Sequence, residues 1–258
     1  MPSSHGIHYF VSGADLHLIP PVILLHGAGG THLYWPPQLR RIPGRRILAL
    51  DLPGHGKSDG SGRQSIDAYV DDVDAFIRSI GLNTVVLAGH SMGGAIAIEL
   101  AGRYPGRVLG LCLVSTGAKL RVSPEILRGT DDPAAFSATV TRIVDLSFAA
   151  DASPRLKQLA AQRMRETRSS VLHGDFLACN AFDASPRVSG LAMPTLVVCG
   201  EQDRMTPPHS SHWLRSHIAG SRLELVPHAG HMVMLEQPDA VTALLDQFLD
   251  RLEYRPGA

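Results

Sequence analysis

Six short segments of this chain are apolar at consecutive positions, and that feature leaves few folds open. They are PPVILLHG (20–27), RRILALDLPG (45–54), TVVLAG (84–89), VLGLCLVST (108–116), PTLVVCG (194–200) and RLELVP (222–227). A strand with one wet face alternates apolar and polar residues. A strand covered on both faces is apolar throughout, so these runs predict a parallel sheet between two layers of helix. Helical periodicity fills the gaps between them. Ile66, Tyr69, Val73, Phe76, Ile77 and Ile80 recur at helical spacing before Gly81, which is placed to end the helix. Val241, Leu244, Leu245, Phe248 and Leu252 repeat the pattern over 238–252. Strands alternating with helices imply right-handed βαβ units and an α/β, doubly wound, mostly parallel sheet.

One region breaks the alternation. From Ala118 to Gly190 no strand run stands out, while 133–150, 154–168 and 169–183 read as helices punctuated by Pro124, Pro133, Pro154 and Pro186. The expected plan is a core of residues 1–117 and 191–258, with a helical cap of residues 118–190 inserted after the strand ending near Ser115.

Gly89-His90-Ser91-Met92-Gly93 spells G-x-S-x-G between the run TVVLAG and the alanine-rich MGGAIAIELAGRYP. Five residues alone are a weak signal, but strand, sharp turn and helix in succession make a specific setting. It forces the serine into a strained backbone and holds its hydroxyl out at the carboxyl edge of a sheet, with the Met92 N–H beside it. The bland alternative is a serine that caps the helix. A serine hydroxyl attacks at neutral pH only when a base removes its proton, so a nucleophile here needs a histidine and an acid to orient it. Glu201 and Asp203 follow PTLVVCG, and His228 and His231 follow RLELVP.

HGAGG (26–30), DLPGHGKSD (51–59), GHSMGG (89–94), GEQDRMTP (200–207) and AGHMVMLEQPD (229–239) together resemble successive signatures of the α/β-hydrolase fold family, covering the chain outside the cap. The resemblance implies an eight-stranded sheet, Ser91 as nucleophile, His231 as general base and then general acid, and Asp203 as the carboxylate that fixes the imidazole tautomer. It sets Glu201 aside and puts His228 at the turn or the pocket rim. It also implies an oxyanion hole from the backbone N–H groups of Ala28 and Met92, with Gly27, Gly29 and Gly30 admitting substrate closely and a helix starting near Thr31. Ser91 Oγ is expected within hydrogen-bond reach of a His231 nitrogen. A haloalkane dehalogenase would carry Asp at position 91, so the serine disfavours that branch.

Other motifs fall away. GHGKSD resembles the end of a phosphate loop, but the glycine required five positions before Gly56 is Asp51. No G-x-G-x-x-G follows the first run, which disfavours a dinucleotide fold. HAGH (228–231) and HSSH (209–212) lack the Glu of H-E-x-x-H and a clear third ligand, so neither cofactor nor metal is expected. Lys+Arg and Asp+Glu both number 24, leaving no net field toward nucleic acid or an anionic membrane. No apolar run approaches the roughly 18 residues of a membrane span. Cys112, Cys179 and Cys199 are too few for a disulfide framework and read as buried thiols of a cytoplasmic protein.

Substrate choice falls to the cap. Phe176, Cys179, Phe182 and Met164 make an apolar acyl pocket if they face Ser91, and a cap core at the same spacing if they do not. Arg155, Lys157, Arg163, Arg165 and Arg168, against Glu166 alone, read first as a solvated helix face and second as an attraction for an acidic substrate or an acyl carrier protein. The leading expectation is a cofactor-free serine carboxylesterase, monomer or homodimer, cleaving small to medium acyl esters through an acyl-enzyme. A second reading keeps the same three residues and takes an enol-lactone, a carbon–carbon bond of a diketone, or the methyl ester of a carrier-bound acid. A third, of another class, is a ligand receptor with little turnover; such a receptor has no physical need for Ser91, Asp203 and His231 together.

Overall fold

All six apolar runs are strands of one sheet. The computed structural model describes residues 2–14 and 20–252. Its strands are β1 (Ser3–Ser4), β2 (Ile7–Ser12), β3 (Val22–Leu25), β4 (Ile47–Leu50), β5 (Val85–His90), β6 (Val108–Val114), β7 (Thr195–Gly200) and β8 (Arg222–Val226). They pair in the order β1-β2-β4-β3-β5-β6-β7-β8, with β3 to β8 parallel and β1 and β2 antiparallel at one edge. Only the edge pair lacks an apolar run. Ile7 and His8 are buried in β2 and the rest of it is partly or fully exposed, so its composition carries no two-sided signature.

Each central strand feeds two cores. Val22, Leu24, Ile47, Ala49, Val86 and Ala88 enter one; Ile23, Leu25, Leu48, Leu50, Val85 and Leu87 enter the other. The helices are α1 (Pro37–Arg40), α2 (Ile66–Ser79), α3 (Met92–Arg103), α4 (Pro124–Asp131), α5 (Phe136–Ser147), α6 (Pro154–Glu166), α7 (Ser169–Ala181), α8 (Pro208–His217), α9 (Val233–Glu236) and α10 (Pro238–Asp250). Residues of α2, α3 and α8 join the second core, and residues of α1 and α10 join the first. Ser65 caps α2 by accepting the Ala68 N–H, and Gly81 follows it at φ 72°, a conformation glycine adopts without penalty.

Four helices, α4 to α7, lie between β6 and β7, and Pro124 and Pro154 open α4 and α6 where a missing N–H is harmless. The helix expected near Thr31 is shorter than anticipated: a 3₁₀ turn, His32–Tyr34, capped by Thr31. Trp35, which precedes Pro36, is extended at φ −91° and ψ 109°, as a residue before proline prefers, and this stops the turn. No helix among the described residues is long and apolar enough to cross a membrane. All three cysteines are buried and unbridged, and burial pushes the thiols of Cys112 and Cys199 up to about 12.

The sheet order reverses at β3, which has β4 on one side and β5 on the other. Loops leaving the carboxyl ends of β3 and β5 therefore diverge, and a crevice opens between them.

Candidate active site

Ser91 stands at that crevice, between β5 and α3. Its backbone sits at φ 53° and ψ −114°, a strained conformation for a residue with a side chain, and the side chain does not cap α3. The strain persists because the surroundings over-determine it. A Cβ on Gly93 would fall 2.2 Å from the Leu25 carbonyl oxygen, and one on Gly89 would fall 2.2 Å from that of Gly93, so strand and helix close to a distance only glycine permits. The Thr116 hydroxyl donates to the Ser91 carbonyl at 2.8 Å. Ser91 also precedes the first turn of α3, whose leading N–H groups, Met92 among them, have no acceptor within the helix.

The loops after β7 and β8 bring the second and third groups together. A Cβ on Gly200 would lie 2.2 Å from the Gly230 carbonyl oxygen, so the two loops run in contact. His231 Nδ1 donates to Asp203 Oδ2 at 3.0 Å, and both side chains are buried. Asp203 also accepts the N–H groups of Met205 (2.9 Å) and Thr206 (2.8 Å) and the Thr206 hydroxyl (2.9 Å). Burial opposes ionisation of this carboxyl, but His231 and the Thr206 donors outweigh it and hold Asp203 below its ordinary value. With its proton on Nδ1, His231 keeps the Nε2 lone pair for a base's work. Glu201 is exposed, and His228 is exposed at a turn with φ 54°.

Ser91 and His231 line one cavity of about 330 Å³ together with Ala28, Phe176 and Cys179. The hydrogen bond expected between Ser91 Oγ and His231 is not formed among the described residues. Such contacts are often long in a ligand-free enzyme and tighten when substrate arrives. A larger and more open groove of about 820 Å³ between α4 and α5 contains none of these groups.

Two glycines act differently from the sequence expectation. Neither Gly27 nor Gly29 lines the cavity that holds Ser91. A Cβ on Gly27 would fall 2.7 Å from His90 Nδ1 and 3.2 Å from Ser91 Cβ, so its smallness lets the β3 loop close on the Ser91 turn. A Cβ on Gly29 would meet Leu172 at 2.6 Å. These glycines admit protein rather than substrate. The Ala28 N–H between them has no acceptor among the described residues.

Several supporting residues carry no sequence signal. Asp175 of α7 is fully buried and reaches the β3 loop: its Oδ2 accepts the Gly29 N–H and His55 Nε2, both at 2.8 Å, and its Oδ1 accepts the Tyr69 hydroxyl at 2.5 Å. Thr167 donates to the Gly29 carbonyl at 3.1 Å, so both sides of Gly29 are held from the inserted helices. Glu236 accepts the N–H groups of Gly230 and Ala149, each at 2.8 Å, which ties the His231 loop to the chain after α5. His90 Nε2 donates to the His231 carbonyl at 3.0 Å, and burial with the neighbouring His231 holds His90 neutral, well below its ordinary value.

Among the described residues, His8, His32 and Asp51 come close enough to suggest a metal, with ligand atoms within 4.8 Å of one another. The donor chemistry points elsewhere. Asp51 already accepts His8 Nδ1, His32 Nδ1 and the His32 N–H at 2.8 Å, and the Lys57 N–H at 3.2 Å. These bonds use both carboxylate oxygens and one ring nitrogen of each histidine, so the cluster as it stands is a buried hydrogen-bond hub that pins the loop after β4.

Residues 20–238 match the profile described as the alpha/beta hydrolase fold. A pimeloyl-[acyl-carrier protein] methyl ester esterase of Neisseria meningitidis is 29% identical over 245 residues, covering 90% of this chain and 94% of its own. Among solved structures, a thermophilic esterase superposes with a TM-score of 0.82 at 30% identity, over 96% of this chain and 100% of its own. An enol-lactonase from Burkholderia xenovorans superposes with a TM-score of 0.87 at 25% identity, over 95% and 96%.

Proposed function

The chain belongs to the α/β-hydrolase fold family, and from that premise we propose that it is a serine carboxylesterase in which Ser91, His231 and Asp203 form the catalytic triad. The observation that carries this reading is His231, held by Asp203 at 3.0 Å, lining one cavity with a serine at φ 53°. Ser91 Oγ attacks the carbonyl carbon of a small-molecule ester as its proton passes to His231 Nε2. The oxyanion is received by the N–H groups of Ala28 and Met92. Its collapse breaks the bond to the leaving alkoxide, which takes the proton from His231, leaving acyl-Ser91 and free alcohol. Water then attacks the acyl carbon, gives a proton to His231, and the second collapse returns that proton to Ser91 Oγ and releases the acid. Asp203 keeps the Nδ1–H tautomer throughout. Residues 118–190, with helices α4 to α7, serve as a cap over this chemistry, and Phe176 and Cys179 form part of its acyl wall.

The test is a series of p-nitrophenyl esters of increasing acyl length, assayed with the wild type and Ser91→Ala. Turnover that falls at least ~10³-fold in the variant is expected from loss of the nucleophile; turnover that survives the substitution overturns the reading. The likeness to an enol-lactonase supports a lactone, an internal ester, as the second substrate form. Assaying lactones in the same series separates the two.

A further inference from the structure

The cavity at Ser91 is not electrically neutral. Lys119, Arg121 and His209 line it, and no Asp or Glu does. Asp203 lies just behind His231, but its oxygens are occupied by four donors and it is itself buried. The two cations also differ from one another. Lys119 is paired with Asp183 at 2.5 Å. Arg121 is exposed and makes neither ion pair nor hydrogen bond among the described residues.

The backbone that carries Arg121 is held on both sides. Lys119 forms a β-bridge with Asp183, the Ala184 N–H donates to the Ala118 carbonyl at 2.7 Å, and the Val122 N–H donates to Asn180 Oδ1 at 3.3 Å. Leu120 is buried and Val122 half-buried in the same segment, so the guanidinium is presented from a fixed edge. A planar, permanently charged fork over a partly closed cavity suits a carboxylate, which it can meet through two parallel N–H donors.

We propose that this cavity contains an anion subsite centred on Arg121, and that the substrate is an ester or lactone bearing a second, free carboxylate away from the scissile carbonyl. The proposal rests on the esterase reading and narrows it. Phe176 and Cys179 flank the apolar stretch of such a molecule, Ser91 meets its carbonyl, and Arg121 receives its charged end. Cys179 does not compete for the anion's role, since burial pushes its thiol up and keeps it neutral.

The experiment compares two p-nitrophenyl esters of equal length: the mono-ester of a dicarboxylic acid, and its counterpart with a terminal carboxamide. In the wild type the carboxylate ester should have a kcat/KM about tenfold higher, expressed in KM, as one charge-assisted contact supplies. Arg121→Gln should bring the ratio to near one, Arg121→Lys should retain part of it, and added salt should reduce it in the wild type. Because the ratio is taken within one protein sample, partial misfolding of a variant cancels. A wild-type ratio near one, or a preference that survives Arg121→Gln, overturns the subsite while leaving the esterase reading standing. Hydrolysis of neither ester, or hydrolysis that persists in Ser91→Ala, defeats the esterase reading itself and the subsite with it.

Discussion

Asp175 is the residue whose loss should be felt most widely. Its side chain is fully buried, and it satisfies the Gly29 N–H, the Tyr69 hydroxyl and His55 at once. Burial opposes protonation of His55, but Asp175 and the Pro53 carbonyl, which His55 Nδ1 meets at 3.1 Å, outweigh it and raise the imidazole above its ordinary 6.5. Asp175→Ala therefore strands three buried donors, one of them on an imidazole whose charged form Asp175 favours. Removing one partner of a buried ion pair costs about 3–5 kcal/mol, a large share of the 5–15 kcal/mol that stabilises a typical protein. Asp175→Asn keeps the volume and one acceptor oxygen, and should cost about 2 kcal/mol. The pH dependence follows from the direction of the His55 shift. A folded-state value raised above the unfolded one gives stability that is complete below pH 6.5 and is lost as pH climbs through the folded value. In equilibrium urea unfolding, the gap between wild type and Asp175→Asn should accordingly be widest near pH 6 and narrow toward pH 9. Because Gly29 adjoins Ala28, kcat should fall as well. A loss below about 1 kcal/mol at pH 6 for Asp175→Ala, or a gap that widens with pH, would refute the argument.

Two further outcomes test the geometry around Ser91. Asp203→Asn should leave KM near the wild-type value and lower kcat by about 10³–10⁴, because the amide no longer selects the Nδ1–H tautomer of His231; steady-state kinetics on any turned-over ester reads this directly. Gly93→Ala should destabilise the fold by about 3 kcal/mol or more, since the added methyl meets backbone at 2.2 Å and neither β3 nor α3 can yield; thermal unfolding near the wild-type midpoint would contradict the close packing.

Much of the site is legible in the amino-acid sequence because its parts are local patterns. Five of the six apolar runs declare strands buried on both faces, while the sixth, β8 at the far edge, is buried only at Val226; the glycines at 89 and 93 declare a turn tighter than a side chain permits. Edge strands β1 and β2 are not legible in this way, since a half-wet strand has mixed composition. Gly27 and Gly29 are legible as small, yet what they admit is protein rather than substrate, because smallness is a property of the residue and the neighbour it receives is not.

By itself, then, the sequence determined the order of the six strands β3 to β8, the strained position of Ser91, and the placement of an acid and a histidine after two late strands. Burial, backbone strain and turn chemistry act over a few consecutive residues, so they leave their mark there. Tertiary structure alone decided that Asp175 reaches Gly29 across 146 positions, and that Arg121 joins Ser91 in one cavity while Lys119 pairs with Asp183. Such meetings depend on how loops from separate strands converge above the sheet, and no stretch of neighbouring residues records that convergence.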